Sequence, residues 1–144
     1  MEDNCKSKLL KMNESENKNY ILQGEFCSPK VQKGIYKNGI HFYVYKMKDI
    51  TSGKNIPAYE MFNLCKKYGF ETVPLLDVTL KDFSSIEEIQ KYSDTLYFEP
   101  GNNEIQVFTE KNKNRKNHEG IVVRSIDLNK NDWSFKVKSR EYCL

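Results

Sequence analysis

Apolar residues from position 20 onward follow spacings that are typical of strands. The short run Tyr20–Gln23 ends at Gly24, and residues 39–47 carry aromatic and β-branched side chains on both faces. We therefore expect a first strand that stops at Gly24 and a second strand that is well buried. The proline, glycines and Asn-Gly pair between the two runs predict a loop that leads into a hairpin-like return.

Helical spacing appears in two later segments. Pro57 suits the first turn of a helix, the apolar residues within 58–65 recur at helical spacing, and Gly69 suits the C-terminal stop. Residues 85–88, Ser-Ile-Glu-Glu, have the capping-box pattern of a second helix start. One side of this second helix would carry Ile86, Ile89 and Tyr92.

The remaining segments predict further strands and one long loop. Residues 72–78 resemble a strand with Pro74 near an edge or bend, and residues 105–108 form a second possible strand. Residues 111–118 are polar, cationic and without periodicity, which predicts a mobile surface loop; the alternative is an arm that binds nucleic acid. Strands with interspersed helices indicate the α+β class, rich in antiparallel sheet.

The first 19 residues differ in composition from the rest. They are dominated by Lys, Asn, Glu and Ser, and Leu9, Leu10 and Met12 are what they offer for burial. This predicts a flexible polar lead-in, either a frayed helix or a disordered segment. A chain of 144 residues has the length of one domain, and we expect residues 20–144 to form it.

Composition predicts a soluble cytoplasmic protein. With 23 basic and 20 acidic residues the net charge is only +3, so any nucleic-acid site must be a local feature. The four cysteines are scattered and no signal peptide precedes them, so we expect free thiols. No apolar run approaches the ~20 residues of a membrane span.

Candidate chemistry lies in the last predicted strand. Within residues 133–138, three apolar residues alternate with a serine, Lys136 and Lys138. Period-2 geometry sends the apolar set to the core and both lysines to the opposite face, about 7 Å apart. Two cations at that distance repel unless an anion lies between them, and a triphosphate would supply that anion. The alternative is an ordinary half-buried strand with solvated lysines.

A carboxylate opens the preceding predicted strand. Glu119 stands next to Gly120, ahead of the apolar residues 121–123, which we expect to be buried. A carboxylate there could hold a divalent cation, a hard-oxygen role that suits magnesium. Arg124 adds a cation near the far end of the strand. The alternative for Glu119 is an exposed turn residue.

Three segments together resemble the ATP-dependent RNA ligase family, which belongs to the covalent nucleotidyltransferases. Residues 119–124 (Glu-Gly-Ile-Val-Val-Arg) and 134–139 resemble motifs IV and V of that family. Residues 23–32, with their Gly-Glu pair, and the aromatic run 41–45 resemble motif III and the strand beyond it. The resemblance implies the C-terminal part of an antiparallel-sheet-rich nucleotidyltransferase domain that binds ATP.

The resemblance assigns three positions to nucleotide binding. Glu25 would bind the ribose hydroxyls of ATP, as a carboxylate acceptor can. Tyr45 would stack on the adenine ring, although it could also be a core aromatic. Arg124 occupies a place where many relatives carry lysine, so the charge is kept while the hydrogen-bond geometry changes.

Three further positions would form the reaction centre. Glu119 would lie beside the metal, magnesium or alternatively manganese. Lys136 and Lys138 would contact the α-phosphate and stabilise charge as pyrophosphate leaves. In this family the adenylate passes through a lysyl-AMP intermediate to an RNA 5′-phosphate, and a 3′-hydroxyl then displaces AMP to seal the strand.

The nucleophilic lysine of such enzymes is missing from the place where the resemblance requires it. The family uses a lysine in a Lys-x-Asp/Asn-Gly motif, which should lie upstream of Glu25. The nearest match, residues 66–69 (Lys-Lys-Tyr-Gly), lacks the carboxylate or amide and follows motif III. We therefore expect the isolated chain to be inactive.

Three explanations for the missing lysine stay open. The reading frame could be truncated, or a separate polypeptide could supply the motif I segment. The chain could also be a degenerate ligase that acts as a non-catalytic nucleotide- or RNA-binding module. The expected partners are ATP, RNA and, under the second explanation, that polypeptide; no membrane is expected.

Overall fold

The computed structural model describes residues 2–28, 30, 39–100, 106–126 and 132–142. Most of the predicted loop ahead of residue 39, together with Ile105 and Cys143, lies outside this set. The helices are α1 (Glu2–Glu16), α2 (Ala58–Tyr68) and α3 (Ile86–Asp94), with one 3-10 turn at Leu80–Asp82. The strands are β1 (Tyr20–Cys27), β2 (His41–Asp49), β3 (Lys54–Asn55), β4 (Tyr97–Phe98), β5 (Lys116–Asn117), β6 (Gly120–Arg124) and β7 (Ser134–Lys138).

These elements form three small antiparallel sheets, so the predicted α+β class is confirmed. Strands β1, β2 and β3 form the first sheet, with α1 and α2; we call these elements the first lobe. Strands β4 and β5 form the second sheet and β6 and β7 the third; with α3 we call them the second lobe.

The core of the first lobe lies between its sheet and its helices. It is rich in sulfur-containing side chains, and its buried members are Met12, Tyr20, Val44, Met47, Met61, Leu64, Cys65 and Phe70. Methionine suits such a core because its unbranched side chain fills irregular gaps.

Residues 2–16 form a helix that is held onto α2. The Lys8 ammonium donates to the Gly69 carbonyl at 2.7 Å, and Glu16 accepts from Lys67 at 2.9 Å and from Tyr68 at 2.6 Å. Met12 is fully buried in the core. Of the two possibilities that the composition left open, the structure therefore has a helix, and its end toward Glu16 is packed rather than frayed.

Strand β1 does not stop at Gly24, as the sequence predicted, but continues to Cys27. The register between β1 and β2 pairs Gln23 with Lys46 and Gly24 with Val44, so Tyr45 is skipped and forms a β-bulge. A Cβ at Gly24 would lie 2.5 Å from the Tyr43 carbonyl oxygen. Here glycine permits close packing of the two strands instead of ending one of them.

Helix α2 has the predicted boundaries, but the strand predicted at 72–78 is wrong. Pro57 precedes α2, and Gly69 ends it in the left-handed conformation at φ 76°. Beyond it, a single parallel bridge relates Thr72 to Val44: the Val44 N–H donates to the Glu71 carbonyl at 2.9 Å, and the Val73 N–H donates to the Val44 carbonyl at 3.1 Å. Pro74 has no N–H with which to extend this ladder.

Helix α3 begins at the predicted cap and buries Ile89 of the predicted side, but not Ile86. The Ser85 hydroxyl accepts from the Glu88 N–H at 3.2 Å. Ile86, which we expected on the packed side, is 77% exposed, whereas Ile89 and Ser93 are buried. The Ser93 hydroxyl donates to the Val137 carbonyl at 3.0 Å, so the last turns of the helix make the contact with β7.

The polar segment 111–118 is more ordered than its composition predicted. The Arg115 guanidinium lies 3.8 Å from the centre of the Phe108 ring and donates to Glu99 at 3.2 Å. The segment then pairs as β5 with β4. The strand predicted at 105–108 is reduced, in its described part, to one bridge between Phe108 and Tyr97.

Candidate functional site

Strands β6 and β7 form an antiparallel hairpin that carries most of the candidate residues. Gly120 pairs with Lys138, Val122 with Lys136 and Arg124 with Ser134. Because directly opposed residues point to the same side of a sheet, the five side chains of these pairs share one face with the open position at Gly120. The prediction that both lysines lie on one face is consistent with this register.

Gly120 allows the two strands to meet tightly beside Glu119. A Cβ at this position would lie 2.2 Å from the Val137 carbonyl oxygen, closer than any real contact. The Ser139 N–H donates to the Glu119 carbonyl at 2.9 Å, which extends the ladder by one pair. Glu119 therefore sits at the end of the hairpin, in the place that the sequence predicted.

The Glu119 carboxylate and the Lys136 ammonium form an ion pair. Their side chains are 43% and 45% exposed, so water and ligands can reach both. The Lys138 ammonium has no ion-pair partner among the residues that the structure describes. The hairpin end thus presents one cation held by a carboxylate and a second, unpaired cation.

Two predictions about burial on this hairpin are wrong. Trp133 and Phe135, expected in the core, are each 41% exposed and stack on one another with ring centres 5.8 Å apart. Val122, also expected to be buried, is 56% exposed on the lysine face. The hairpin has only two strands, and α3 contacts it near Val137 and Lys138, so much of its apolar surface stays open.

Arg124 reaches from β6 to the bulge in β2. Its guanidinium donates to the Tyr45 carbonyl and lies 5.6 Å from the centre of the Tyr45 ring. Burial lowers the pKa of the Arg124 guanidinium, while Tyr45 and the nearby Asp132 raise it. An arginine stays protonated under such a shift, so it contributes a fixed charge at this position.

The predicted residues are divided between the two lobes. The first lobe contains Glu25 on β1 and Tyr45 on β2. Glu25 pairs with Tyr43 of β2, and its side chain is exposed. Glu119, Lys136 and Lys138 lie in the second lobe. Of the predicted residues, Arg124 makes the hydrogen bond that connects the lobes.

The carboxylates fit a metal that is shared with a ligand better than a metal held by protein alone. No group of three His, Cys, Asp or Glu side chains within the described residues could hold an ion. Magnesium often binds one or two carboxylates and completes its shell with water and phosphate oxygens. A single exposed carboxylate such as Glu119 fits that arrangement.

Sequence reasoning missed a second contact between the lobes. The Asn55 side-chain amide at the end of β3 donates to the Asp132 carboxylate, which precedes β7. The two residues are 77 positions apart, and neither belongs to a recognisable motif. Local sequence carried no signal for this contact.

A surface groove of about 510 Å³ lies elsewhere in the first lobe, between α2 and the segment after it. Its lining includes Tyr43, Phe62, Lys66, Glu71 and Leu75 and contains none of the predicted site residues. In the described part of the chain, no helix is long and apolar enough to cross a membrane.

The small antiparallel sheets and interspersed helices are similar to those of RNA ligase nucleotidyltransferase structures. The family model for RNA ligase matches residues 2–138, and the chain belongs to this family. No curated protein matches the chain.

Solved structures of Naegleria gruberi RNA ligase share the fold. A variant with ATP and Mn is 23% identical with a TM-score of 0.66, and the enzyme with PPi is 22% identical with a TM-score of 0.67. A variant with AMP and Mn is 23% identical with a TM-score of 0.67. Each alignment covers 95% of this chain and 37% of the Naegleria chain, so this chain spans just over a third of that protein's length.

Proposed function

We propose that this chain contributes the ATP- and metal-binding part of an RNA ligase. The full reaction would seal RNA 5′-phosphate and 3′-hydroxyl ends through adenylate intermediates. The observation that carries this proposal is the end of the β6–β7 hairpin, where Glu119, Lys136 and Lys138 meet within a chain of the RNA ligase family.

The ion pair between Glu119 and Lys136 would hold a metal-binding carboxylate beside a phosphate-binding cation. Each side chain is about half exposed, and Lys138 adds an unpaired cation on the same face. With ATP and magnesium or manganese bound, Lys136 would contact a phosphate oxygen and Glu119 would hold the metal. Both lysines would then stabilise the charge that develops as pyrophosphate departs.

The base and ribose would lie toward the first lobe. Tyr45 offers an aromatic ring for stacking, which is worth about 1–3 kcal/mol per base, and Glu25 offers acceptors for the ribose hydroxyls. Val122, exposed on the lysine face, supplies an apolar surface between the phosphate-binding and base-binding groups. The ligands bound in the Naegleria enzyme, ATP with Mn, AMP with Mn and PPi, support this choice of substrate.

The nucleophile would come from outside this sequence. The 144 residues contain no Lys-x-Asp-Gly or Lys-x-Asn-Gly. We propose that a polypeptide segment with that motif completes the site. The same observation favours a second candidate function, a non-catalytic module that binds nucleotide or RNA.

Equilibrium binding of ATP with magnesium tests the proposal. Replacing both Lys136 and Lys138 with alanine should weaken binding at least tenfold, because two phosphate contacts are lost. The matched control is Lys81→Ala with Lys91→Ala, which removes the same charge from exposed positions and should bind as the natural chain does. Equal affinity in the two double variants would overturn the proposed site.

Incubation with α-labelled ATP and magnesium separates the two candidate functions. The isolated chain should acquire no acid-stable label, and a labelled lysine would show that it carries its own nucleophile. Addition of a ligase fragment with Lys-x-Asp-Gly should restore labelling if the chain is part of an enzyme. Saturable ATP or RNA binding without any restored labelling would favour the binding module.

A further inference from the structure

Two side-chain hydrogen bonds connect the first lobe to the second among the residues that the structure describes. Arg124 on β6 donates to the Tyr45 carbonyl on β2, and Asn55 on β3 donates to Asp132, which precedes β7. The proposed ATP site has groups on both lobes. Its geometry therefore depends on how these two contacts hold the lobes together.

The bulge at Tyr45 makes the first contact available. Tyr45 has no partner in the register between β1 and β2, so its carbonyl is free to accept from outside the ladder. The guanidinium also lies 5.6 Å from the centre of the Tyr45 ring, within the range of a cation–π interaction. One arginine thus fixes both the backbone and the ring of the residue that would receive the base.

Both contacts lie at the same end of the β6–β7 hairpin. Arg124 pairs with Ser134, and Asp132 lies two residues before that pair, whereas Glu119 and Lys138 lie at the opposite end. Arg124 lies four positions along the strand from Gly120, a distance of about 13 Å. A small rotation about the held end would therefore displace the lysine end relative to Tyr45.

We propose that Arg124–Tyr45 and Asn55–Asp132 form a clamp between the lobes that sets the separation of the base-binding and phosphate-binding parts of the site. In this role Asn55, Asp132 and Arg124 are positioning residues, and none of them contacts the phosphates. The inference rests on the proposed ATP site. The clamp gives a positioning role to residues at the end of the hairpin opposite Glu119 and Lys138.

The clamp predicts that ligands of different length respond differently. ATP would contact both lobes. Once ATP is bound to one lobe, the clamp keeps the binding groups of the other lobe near it, and loss of the clamp lowers their effective concentration. Inorganic pyrophosphate is short enough to be bound by the lysine end alone. Weakening the clamp should therefore impair ATP binding and leave pyrophosphate binding unchanged.

The experiment measures the affinities of ATP and inorganic pyrophosphate, each with magnesium, by titration calorimetry. Asn55→Ala and Asp132→Ala should each weaken ATP binding about tenfold, the low end of the loss expected for one hydrogen bond to a charged group. Pyrophosphate affinity should not change. The exchange Asn55→Asp with Asp132→Asn restores an amide–carboxylate pair and should recover ATP binding. Asn63→Ala, an exposed asparagine on α2, is the control.

Arg124→Met distinguishes a positioning role from a phosphate contact. It should lower ATP affinity more than Asp132→Ala does, again without an effect on pyrophosphate. A parallel loss of pyrophosphate affinity would assign Arg124 to the phosphates and overturn its place in the clamp. Thermal unfolding of each variant checks that the chain remains folded, and Asn55→Ala, at a half-buried position of β3, serves if Arg124→Met does not fold.

The outcomes separate this inference from the proposed function. If the natural chain binds neither ligand, the proposed site is wrong and the clamp falls with it. If it binds both, and the Asn55 and Asp132 variants bind ATP as tightly as it does, the clamp alone is overturned. The clamp is also overturned if these variants lose both ligands equally.

Discussion

Exposure decides what the Glu119–Lys136 pair contributes at the scale of single residues. Surface ion pairs are worth about 0–1 kcal/mol, because solvent screens them and two long side chains lose freedom. This pair therefore contributes little to the stability of the fold, because its side chains are 43% and 45% exposed. Its position beside Lys138, which has no ion-pair partner in the described part of the chain, is consistent with the proposed ligand-binding role.

Glu119→Gln should accordingly separate stability from binding. We expect the free energy of unfolding to change by less than about 1 kcal/mol. ATP affinity should lose most of its dependence on magnesium, because the neutral amide is a weaker metal ligand. Denaturant unfolding and ATP titrations with and without magnesium measure the two effects. Glu87→Gln, on the exposed side of α3, is the control; a similar response from that variant would count against a metal role for Glu119.

Sequence patterns could assign residues to the site only where strand alternation and known motif spacing apply. The shared face of Lys136 and Lys138 and the place of Glu119 at a strand start both follow from such local rules. The contact of Arg124 with Tyr45 joins residues 79 positions apart and depends on a bulge. The exposure of Val122 depends on which elements cover the hairpin. Neither could be predicted from local sequence.

At the scale of elements, the local signals that worked are those of helix ends and strong strands. Pro57 and Gly69 bracket α2, Ser85 caps α3, and β2, β6 and β7 have the expected apolar content. The wrong predictions share one cause, because strand pairing and burial depend on which neighbouring element lies close enough to pair or pack. Residues 72–78 lack a full partner strand, and Ile86 lies on α3 away from the surface that buries Ile89.

The chain after β7 is tied to the end of α3 by Asp94. Its carboxylate accepts from the Arg140 backbone N–H at 2.8 Å and from the Arg140 Nε at 2.9 Å. Burial raises the pKa of Asp94, but the hydrogen bonds from Arg140 outweigh it, so that the pKa lies below its usual value. A carboxyl whose pKa is lower in the folded state stabilises the fold above the unfolded-state pKa of about 3.9.

Because the pKa of Asp94 is lowered in the folded state, we expect its contact with Arg140 to weaken in acid. The stability difference between the natural chain and Asp94→Asn should be constant above about pH 5 and should shrink as the pH falls through the folded-state pKa, below about 3.9. Urea unfolding across this range measures it. Asp77→Asn, at an exposed position, is the control. A difference that grows on acidification would mean that the direction of the shift is wrong.

At the scale of the whole molecule, none of the described cysteines forms a disulfide, as their scattered positions predicted. Cys27 and Cys65 are buried, whereas Cys5 is partly exposed on α1. Burial raises the pKa of the Cys65 thiol to about 11. Because the thiolate is the reactive form, Cys65 should be inert at pH 8 while the chain is folded.

Thiol labelling followed by mass spectrometry checks the packing of the first lobe. At pH 8 the native chain should be modified first at Cys5, and Cys65 should react only after denaturant is added. A Cys5→Ser variant should remove the fast reaction and leave the slow one unchanged. Rapid labelling of Cys65 in the absence of denaturant would mean that the core around Met47 and Met61 is open.

The bulge at Tyr45 has one more consequence, for the core itself. Val44 and Met47 both belong to the buried cluster, although residues three apart on a regular strand face opposite sides. The extra residue shifts the alternation of side chains by one position, so that two residues an odd number of positions apart are both buried. Deletion of Tyr45 would not simply shorten the strand; it would turn Met47 and Asp49 toward solvent or force Val44 out of the core.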